Sequence, residues 1–147
     1  MKTKNKIIKI SSKNKFEMVD ISDQVEDIVK ESGIVNGLVN IQSLHTTASI
    51  FIQEKETGLR VDIVNFLQKV VDQKCYYQHD DFNIRTENMC NDECANGASH
   101  IMNMIISTAT TLNIVNNKIQ FGTWQKIIFI ELDRARERKI AIQVIGE

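Results

Sequence analysis

The sequence predicts an α+β domain with a mainly antiparallel, sandwich- or barrel-like β-sheet core and about three helices. Strand-like runs outnumber helical runs, and several follow one another as hairpins. Asn116 and Asn117 separate two such runs, and asparagine tolerates the left-handed backbone that a tight hairpin turn requires. Three longer segments instead show the apolar spacing of a helix. No repeat or linker divides the chain, so residues 1–147 form one predicted domain.

The first elements are two short strands and a helix. Ile8 and Ile10 belong to the first run, residues 16–19 form the second, and turn-prone residues lie between them. Ser22 is the predicted N-cap of the helix, and Gly33 is its predicted stop. The apolar face of this helix contains Val25, Ile28 and Val29.

The middle of the chain predicts two strands, over residues 35–44 and 46–53. Gly58 then opens a helix whose apolar stripe contains Val61, Val64, Leu67 and Val71. Residues 75–95 are polar and without a period, and loops of this length are often functional. A third helix begins near Asn96 and runs through Ile106. The remaining predicted strands cover residues 111–115, 118–121, 124–132 and 139–145.

Charge and composition exclude several classes of protein. There are 18 basic and 19 acidic residues, and the net charge of −1 does not favour nucleic acid as a partner. No apolar run reaches the length of a membrane span or a signal-peptide core, so we expect a cytoplasmic protein without membrane partners. The three cysteines, Cys75, Cys90 and Cys94, lack the spacing of common zinc or redox pairs and are expected as free thiols.

The three histidines, His45, His79 and His100, lie far apart in the sequence. None has the spacing of a two-ligand clip such as a helical His-x-x-x-His, so the fold would have to assemble any three-histidine metal site. Their spacing alone favours ordinary surface or interior positions.

Glu54 ends an apolar strand, and other charged residues follow it closely. A carboxylate at a strand end could act as a general base or a metal ligand. The spacing alone favours a solvated helix start, where acidic residues are stabilised by the helix dipole.

Two segments could bind an anion. Thr46 and Thr47 could offer hydroxyls to phosphate, although threonine is equally natural in a strand. The Asn96-Gly97-x-Ser99 segment could present backbone N–H groups to an anion, although a simple helix cap explains the same residues and is slightly favoured.

Arg134, Arg136 and Arg138 alternate along the chain, so a strand would place them on one face. Such a row could bind phosphate through bidentate hydrogen bonds, or it could be a charged hairpin tip or protected edge strand, which is the favoured interpretation. Trp124 could line a pocket, although a half-buried tryptophan on a strand usually belongs to the core.

Four stretches, in order along the chain, carry the motifs of a known family. They are residues 45–54 (HTTASIFIQE), 77–81 (YQHDD), 96–101 (NGASHI) and 122–127 (GTWQKI), the last continuing to Glu131-Leu132-Asp133 and the arginines. Together they resemble the YjbQ-like family, also called the secondary thiamine-phosphate synthase family, over nearly the whole chain. The GTWQ motif is the most specific of the four.

The resemblance implies an α+β fold, a homotrimer and a site near the subunit boundaries. It implies one site that contains His45, His79 and His100, with Glu54, as acid–base groups. The same three histidines are candidate ligands for a divalent metal, zinc or magnesium. The residues implied to bind the phosphate group and the rings of the substrate are Thr46, Thr47, Arg136, Arg138, Trp124 and Gln125.

The activity associated with the family is a weak thiamine-phosphate synthase reaction. It joins a pyrimidine methyl diphosphate to a thiazole phosphate and releases pyrophosphate, so the implied substrate is a phosphorylated small molecule. The alternative is a non-catalytic metal- or ligand-binding homotrimer.

Three positions depart from the family pattern. Ala98 stands where many members have histidine, and Gln53 stands where asparagine is usual. Residues 133–136 read Asp-Arg-Ala-Arg where many members have Asp-Gly-Pro-Arg. These changes bear more on a shared substrate than on a shared fold.

Overall fold

A computed structural model describes residues 1–147 and contains eight strands and three helices. The strands are β1 (Lys2–Ser11), β2 (Met18–Asp20), β3 (Gly37–Ser43), β4 (Ala48–Glu54), β5 (Ala109–Val115), β6 (Lys118–Ile119), β7 (Gln125–Glu131) and β8 (Glu137–Gly146). The helices are α1 (Ser22–Ser32), α2 (Thr57–Val70) and α3 (Gly97–Ile106), and a single 3-10 turn covers Gln78–Asp80. None of the helices is long and apolar enough to span a lipid bilayer.

The strands form two antiparallel sheets that together make a curled half-barrel. The larger sheet has the order β1-β8-β3-β5-β6, and the smaller has the order β2-β7-β4. Every pairing in both sheets is antiparallel. The predicted α+β class with about three helices is therefore confirmed.

The hydrophobic core has two parts, and β7 contributes to both. Ile127 and Phe129 face the larger part, which lies between the two sheets and α1. Ile128 and Ile130 face the smaller part, which α2 and α3 cover. Because both faces of β7 are buried over residues 127–130, these four residues form an uninterrupted apolar run without alternation.

Helix α1 begins differently from the sequence prediction. The Ser22 hydroxyl does not cap the helix but accepts a hydrogen bond from the backbone N–H of Ile127 at 2.8 Å. The Asp20 carboxylate instead accepts the backbone N–H of Ser22 at 3.0 Å. Burial alone would raise the pKa of Asp20, but hydrogen bonds from Ser22 and the charge of Lys55 lower it below its ordinary value. Gly33 ends the helix in the left-handed conformation at φ 63°, as predicted.

Helix α2 begins at Thr57, where the Glu56 carboxylate accepts the backbone N–H groups of Gly58 and Leu59. The predicted apolar stripe is partly wrong, because Val61 is 56% exposed while Leu67 and Val71 are buried. The solvated acidic helix start that the spacing favoured is therefore observed at Glu56.

The predicted turn at Asn116 and Asn117 is confirmed, since both residues adopt positive φ angles of 53° and 59°. The strands on either side are β5 and β6, which pair antiparallel. Strand β6 is shorter than the predicted residues 118–121.

Candidate functional site

A buried ion pair connects the end of β7 to the start of β8. Arg138 donates from Nε to Oε2 of Glu131 at 2.7 Å and from Nη2 to Oε1. The two side chains are 3% and 0% exposed. The Ser12 hydroxyl at 2.9 Å and the backbone N–H of Asp133 at 3.0 Å complete the donors around Glu131. This carboxylate is therefore fully hydrogen-bonded inside the chain.

The ion pair involves Arg138 and lies next to Thr47, two of the residues predicted to bind phosphate. Arg138 also donates from Nη2 to the hydroxyl of Thr47 at 3.1 Å, so only its Nη1 lacks a partner in the chain. Thr47 is buried, whereas Thr46 is exposed. Glu131 thus occupies the Nε and Nη2 donors of Arg138, so within one chain only Nη1 is available for the predicted phosphate contact.

The three arginines do not share one face, contrary to the spacing argument. Only Arg138 lies in a strand, and its side chain points inward. Arg134 and Arg136 lie in the bend before β8, with side chains 38% and 30% exposed. Both contact the Asp92 carboxylate of the long loop, at 2.8 and 3.8 Å. Arg136 is therefore the more accessible of the two arginines predicted to bind phosphate.

His45 lies in the connection between β3 and β4, and its Nε2 accepts the backbone N–H of Lys139 at 2.8 Å. An accepting Nε2 leaves the proton of the neutral ring on Nδ1. Burial and the charge of Arg138 lower the pKa of His45, assisted by Lys139 and Arg136 and opposed by Glu131. The ring is therefore neutral near pH 7 and keeps an N–H donor at Nδ1.

His79 and His100 form a second group. Their rings meet edge to face, with centroids 4.4 Å apart. Burial, followed by the neighbouring His79 and Arg85, lowers the pKa of His100, while Asp133 and Asp80 oppose this. The Nε2 of His79 is buried and has no hydrogen-bond partner. The structure thus joins two of the three predicted histidines as a pair.

The turn that carries His79 is attached to the start of α3. The Asp80 Oδ1 accepts the backbone N–H groups of Asn96 and Gly97, both at 2.8 Å. A Cβ atom on Gly97 would lie 2.7 Å from the Cβ of Tyr77, so this approach requires glycine. Asn96 makes no side-chain cap, so Asp80 and not Asn96 supplies the cap that the sequence favoured here, and the alternative anion site is already filled by its carboxylate.

Arg85 organises the long polar loop that the sequence marked as functional. Its guanidinium donates to the carbonyl oxygens of His79 at 3.1 Å, Glu87 at 3.2 Å and Asn88 at 3.0 Å. It also pairs with the Glu93 carboxylate at 3.2 Å, where both side chains are largely buried. Arg85 therefore holds together a loop whose one regular element is the 3-10 turn Gln78–Asp80.

Sequence reasoning proposed no site role for Glu131 or Asp133. The Asp133 side chain is 6% exposed and lies 3.7 Å from Nη2 of Arg136. The charge of Asp133 raises the pKa of His100 and that of Glu131 raises the pKa of His45, so each acid interacts with a different histidine group. The available signal was an acid that directly continues the apolar run 127–130, a position where burial is expected.

Glu54, Trp124 and Gln125 lie at the opposite end of the smaller sheet. In the register of β4 and β7, Glu54 pairs with Gln125 and Ala48 with Glu131. Six residues of strand separate these ends, or about 20 Å. Glu54 is therefore not part of the histidine groups within one chain, contrary to the implied site. Trp124 is 70% exposed and does not belong to the core.

No group of three or more His, Cys, Asp or Glu side chains is placed to hold a metal ion. The predicted metal site of His45, His79 and His100 is not formed within one chain, because His45 belongs to a different group. Its Nε2 also accepts a backbone hydrogen bond, which leaves Nδ1 as its remaining nitrogen.

Comparison with known proteins connects this geometry to a family. The profile of the "UPF0047 protein YjbQ-like" family matches residues 6–147. A UPF0047 protein of Methanothermobacter thermautotrophicus is 32% identical over 94% of this chain and 89% of its own length.

Solved structures give the same result. A YbjQ-like protein of unknown function from Sulfolobus solfataricus P2 has a TM-score of 0.86 and 34% identity, over 99% of both chains. A hypothetical protein from Aeropyrum pernix K1 has a TM-score of 0.85 and 27% identity, over 98% of this chain and 99% of its own. These matches confirm the family that the four sequence motifs predicted. The chain therefore belongs to the YjbQ-like (UPF0047) family.

Proposed function

We propose that this chain binds the phosphate group of a phosphorylated small molecule beside His45 and acts on that molecule as an enzyme. The observation that carries the proposal is a half-buried imidazole whose Nε2 accepts the backbone N–H of Lys139, which leaves Nδ1 as its N–H donor. The charges of Arg138, Lys139 and Arg136 lower the pKa of this ring, opposed by Glu131, and a site with an N–H donor and several cations favours an anion over a metal cation.

Each group of this cationic site has a distinct part in the proposal. His45 donates from Nδ1 to a phosphoryl oxygen, and Arg136 supplies a partly exposed positive charge. Arg138, held by Glu131, offers its remaining Nη1, and the exposed Thr46 adds a hydroxyl. Fixed donors of this kind stabilise a leaving group such as pyrophosphate without reorganising.

We assign proton transfer to His79 and His100. A lowered pKa keeps His100 neutral near pH 7, so its ring is able to accept a proton. Arg85 and Asp80 hold this pair in position through the loop and the start of α3. Glu54 of the same chain lies too far away to share this work.

We propose a homotrimer as well. Within one chain, the residues expected to bind the ring, Trp124 and Gln125, lie far from the cationic site. Trp124 is largely exposed, and Gln125 and Glu54 lie beside it. We propose that this end of one chain meets the cationic site of a neighbouring chain. The exposed apolar side chains that support an interface on α2 and α3 are Val61, Phe66, Val70, Ile101, Met104 and Ile105.

The direct test is calorimetric binding of inorganic pyrophosphate to the purified chain. Arg136→Gln should weaken binding about tenfold, because it removes a charge from the site. Lys118→Gln removes the same charge from the distant β5–β6 hairpin and should change binding less than about twofold. Equal losses in the two variants would refute a localised phosphate site.

Incubation with the two thiamine precursors then tests the reaction itself. Product formed by the wild type and lost in His45→Ala and His100→Ala would support thiamine-phosphate synthase activity. Pyrophosphate binding without product would instead favour the non-catalytic ligand-binding homotrimer. Sedimentation measures the proposed trimer independently of either result.

A further inference from the structure

The outer face of the larger sheet has no charged side chain at twelve adjacent positions. In β8 the side chains of Ile140, Ile142 and Val144 point into the core, so the side chains between them point outward. Residues directly opposite each other in neighbouring strands share a face, so the register extends this outer face over β1, β3 and β5. Its three rows are Thr3, Ile145, Leu38 and Asn113; Asn5, Gln143, Asn40 and Thr111; and Ile7, Ala141, Gln42 and Ala109.

The composition of this outer face is that of an interface. Charged residues make up 25% of the chain, so about three of twelve surface positions should carry a charge. Amide and apolar side chains stand there instead, with Ile7 59% and Leu38 44% exposed. Lys6 borders the face, but its ammonium pairs with Glu31 of α1, which packs against the inner face. Depletion of charge is the mark of an interface core.

The shape of the outer face also suits a partner. Ala141 is small, and the depression over it has a volume of about 490 Å³. At the spacings of a β-sheet, twelve residues on one face cover about 400 Å². A standard interface buries about 800 Å² on each partner. The outer face is therefore large enough to form the core of such an interface, with its rim supplied by the surrounding residues.

The amides of the outer face select a second copy of this chain as the partner. Asn40 donates to the Thr111 hydroxyl at 3.0 Å, whereas the amides of Asn5, Gln42 and Gln143 make no hydrogen bond within the chain. An amide both donates and accepts, so a row of amides is able to pair with another copy of itself. Nucleic acid would require a basic face, and a charged partner would bury its charge without a counterion.

The outer face is continuous with the cationic site. Lys139 lies next to Ala141 on the same side of β8, and Lys9 is directly opposite it in β1. The backbone N–H of Lys139 donates to His45, the central residue of the phosphate proposal. A copy bound to the outer face would therefore reach the edge of that site.

We propose that the outer face of the larger sheet binds the same face of another copy of this chain. This inference rests on the proposed homotrimer, because it names the surface through which the copies meet. It does not depend on the phosphate ligand. Gln143 lies in the central row, so the copies would bring their Gln143 side chains close together.

Sedimentation equilibrium of a charge variant tests the surface. Gln143→Glu keeps the size of an exposed side chain but places like charges opposite each other between copies. Self-association should weaken about a hundredfold, because like charges across an interface are strongly unfavourable. Gln24→Glu makes the same change on the exposed side of α1 and should alter self-association less than about twofold. Melting temperatures establish that both variants are folded.

A mixing experiment separates a lost contact from a damaged fold. Gln143→Lys should also weaken self-association, since it again places like charges together. An equal mixture of the Gln143→Glu and Gln143→Lys chains should associate more tightly than either variant alone, because opposite charges then meet. A folding defect in each chain would not be repaired by mixing.

The outcomes distinguish this inference from the proposed function. Equal self-association of Gln143→Glu and Gln24→Glu would overturn the outer face as the contact and leave the trimer standing. A mixture that associates no better than the separate variants would overturn the pairing of like faces. A monomeric wild type would overturn both this inference and the trimer, whereas pyrophosphate binding by that monomer would leave the phosphate site standing.

Discussion

Replacing Glu131 with glutamine tests the buried ion pair that holds the cationic site together. The substitution keeps the size of the side chain but removes its charge. Arg138 would stay buried without a counterion, and the new amide N–H would point toward its donors. The loss is therefore greater than the loss of one hydrogen bond.

The burial of the Glu131–Arg138 pair determines how much unfolding free energy Glu131→Gln should lose. Breaking a buried pair by removing one partner costs about 3–5 kcal/mol. Domains of this kind are stable by about 5–15 kcal/mol, so Glu131→Gln should remove a large fraction of the unfolding free energy. The corresponding fall in melting temperature is about 10 °C.

Strand β8 supplies a matched control. The Glu137 carboxylate pairs with Lys9 Nζ at 2.9 Å, but the two side chains are 51% and 62% exposed. Glu137→Gln should therefore cost less than about 1 kcal/mol. Urea denaturation of the wild type and both variants measures the difference.

A double replacement separates charge from packing. Glu131→Leu with Arg138→Met removes both charges and should recover most of the stability that Glu131→Gln loses. Full recovery is not expected, because Ser12 and Thr47 lose their partners. The reasoning is refuted if Glu131→Gln costs no more than Glu137→Gln, or if the double variant is less stable than Glu131→Gln.

Four further substitutions, at three positions, test other features. Gly97→Ala should destabilise the chain by about 1–3 kcal/mol in urea, because its Cβ would collide with Tyr77. An unchanged midpoint would contradict this close approach. Asp20→Asn should destabilise at neutral pH, and its deficit should shrink as pH falls from about 5 to about 2, because the lowered pKa of Asp20 gives stability that protonation removes. A deficit independent of pH would contradict it. His45→Asn, which keeps a donor near Nδ1, should retain more pyrophosphate affinity in calorimetry than His45→Gln, which keeps an acceptor near Nε2. The reverse order would place the functional nitrogen at Nε2.

Local patterns predicted the elements that short-range physics controls. The Asn116-Asn117 turn and the Gly33 helix stop were predicted correctly, because a positive φ selects for these residue types. The predictions failed where distant residues compete for a side chain. Ser22 was expected to cap α1, but its hydroxyl accepts the N–H of Ile127, more than a hundred residues away.

The same distinction between local patterns and distant contacts applies to the candidate site. The four motifs selected the histidines and Arg136, and the family they indicated is confirmed. They could not show that Glu131 occupies the donors of Arg138. The two side chains meet because β7 and β8, which carry them, lie in neighbouring sheets. They also could not show that Glu54 and Trp124 lie about 20 Å of strand away from the Ala48–Glu131 end of the smaller sheet, a separation that the register of β4 and β7 determines.

The sequence by itself thus determined the class of fold, the family and the turns, and it named candidate residues for a site. These depend on apolar period, backbone preference and residue type, all of which are local. Only the tertiary structure decided which atoms remain free for a ligand. Glu131 and Asp133 are two residues apart with the same charge, yet Glu131 is bound closely by Arg138 and Ser12, whereas Asp133 has longer contacts with Asn96, Cys94 and Arg136. That difference arises from the donors that β1, β8 and the loop before α3 bring to each carboxylate.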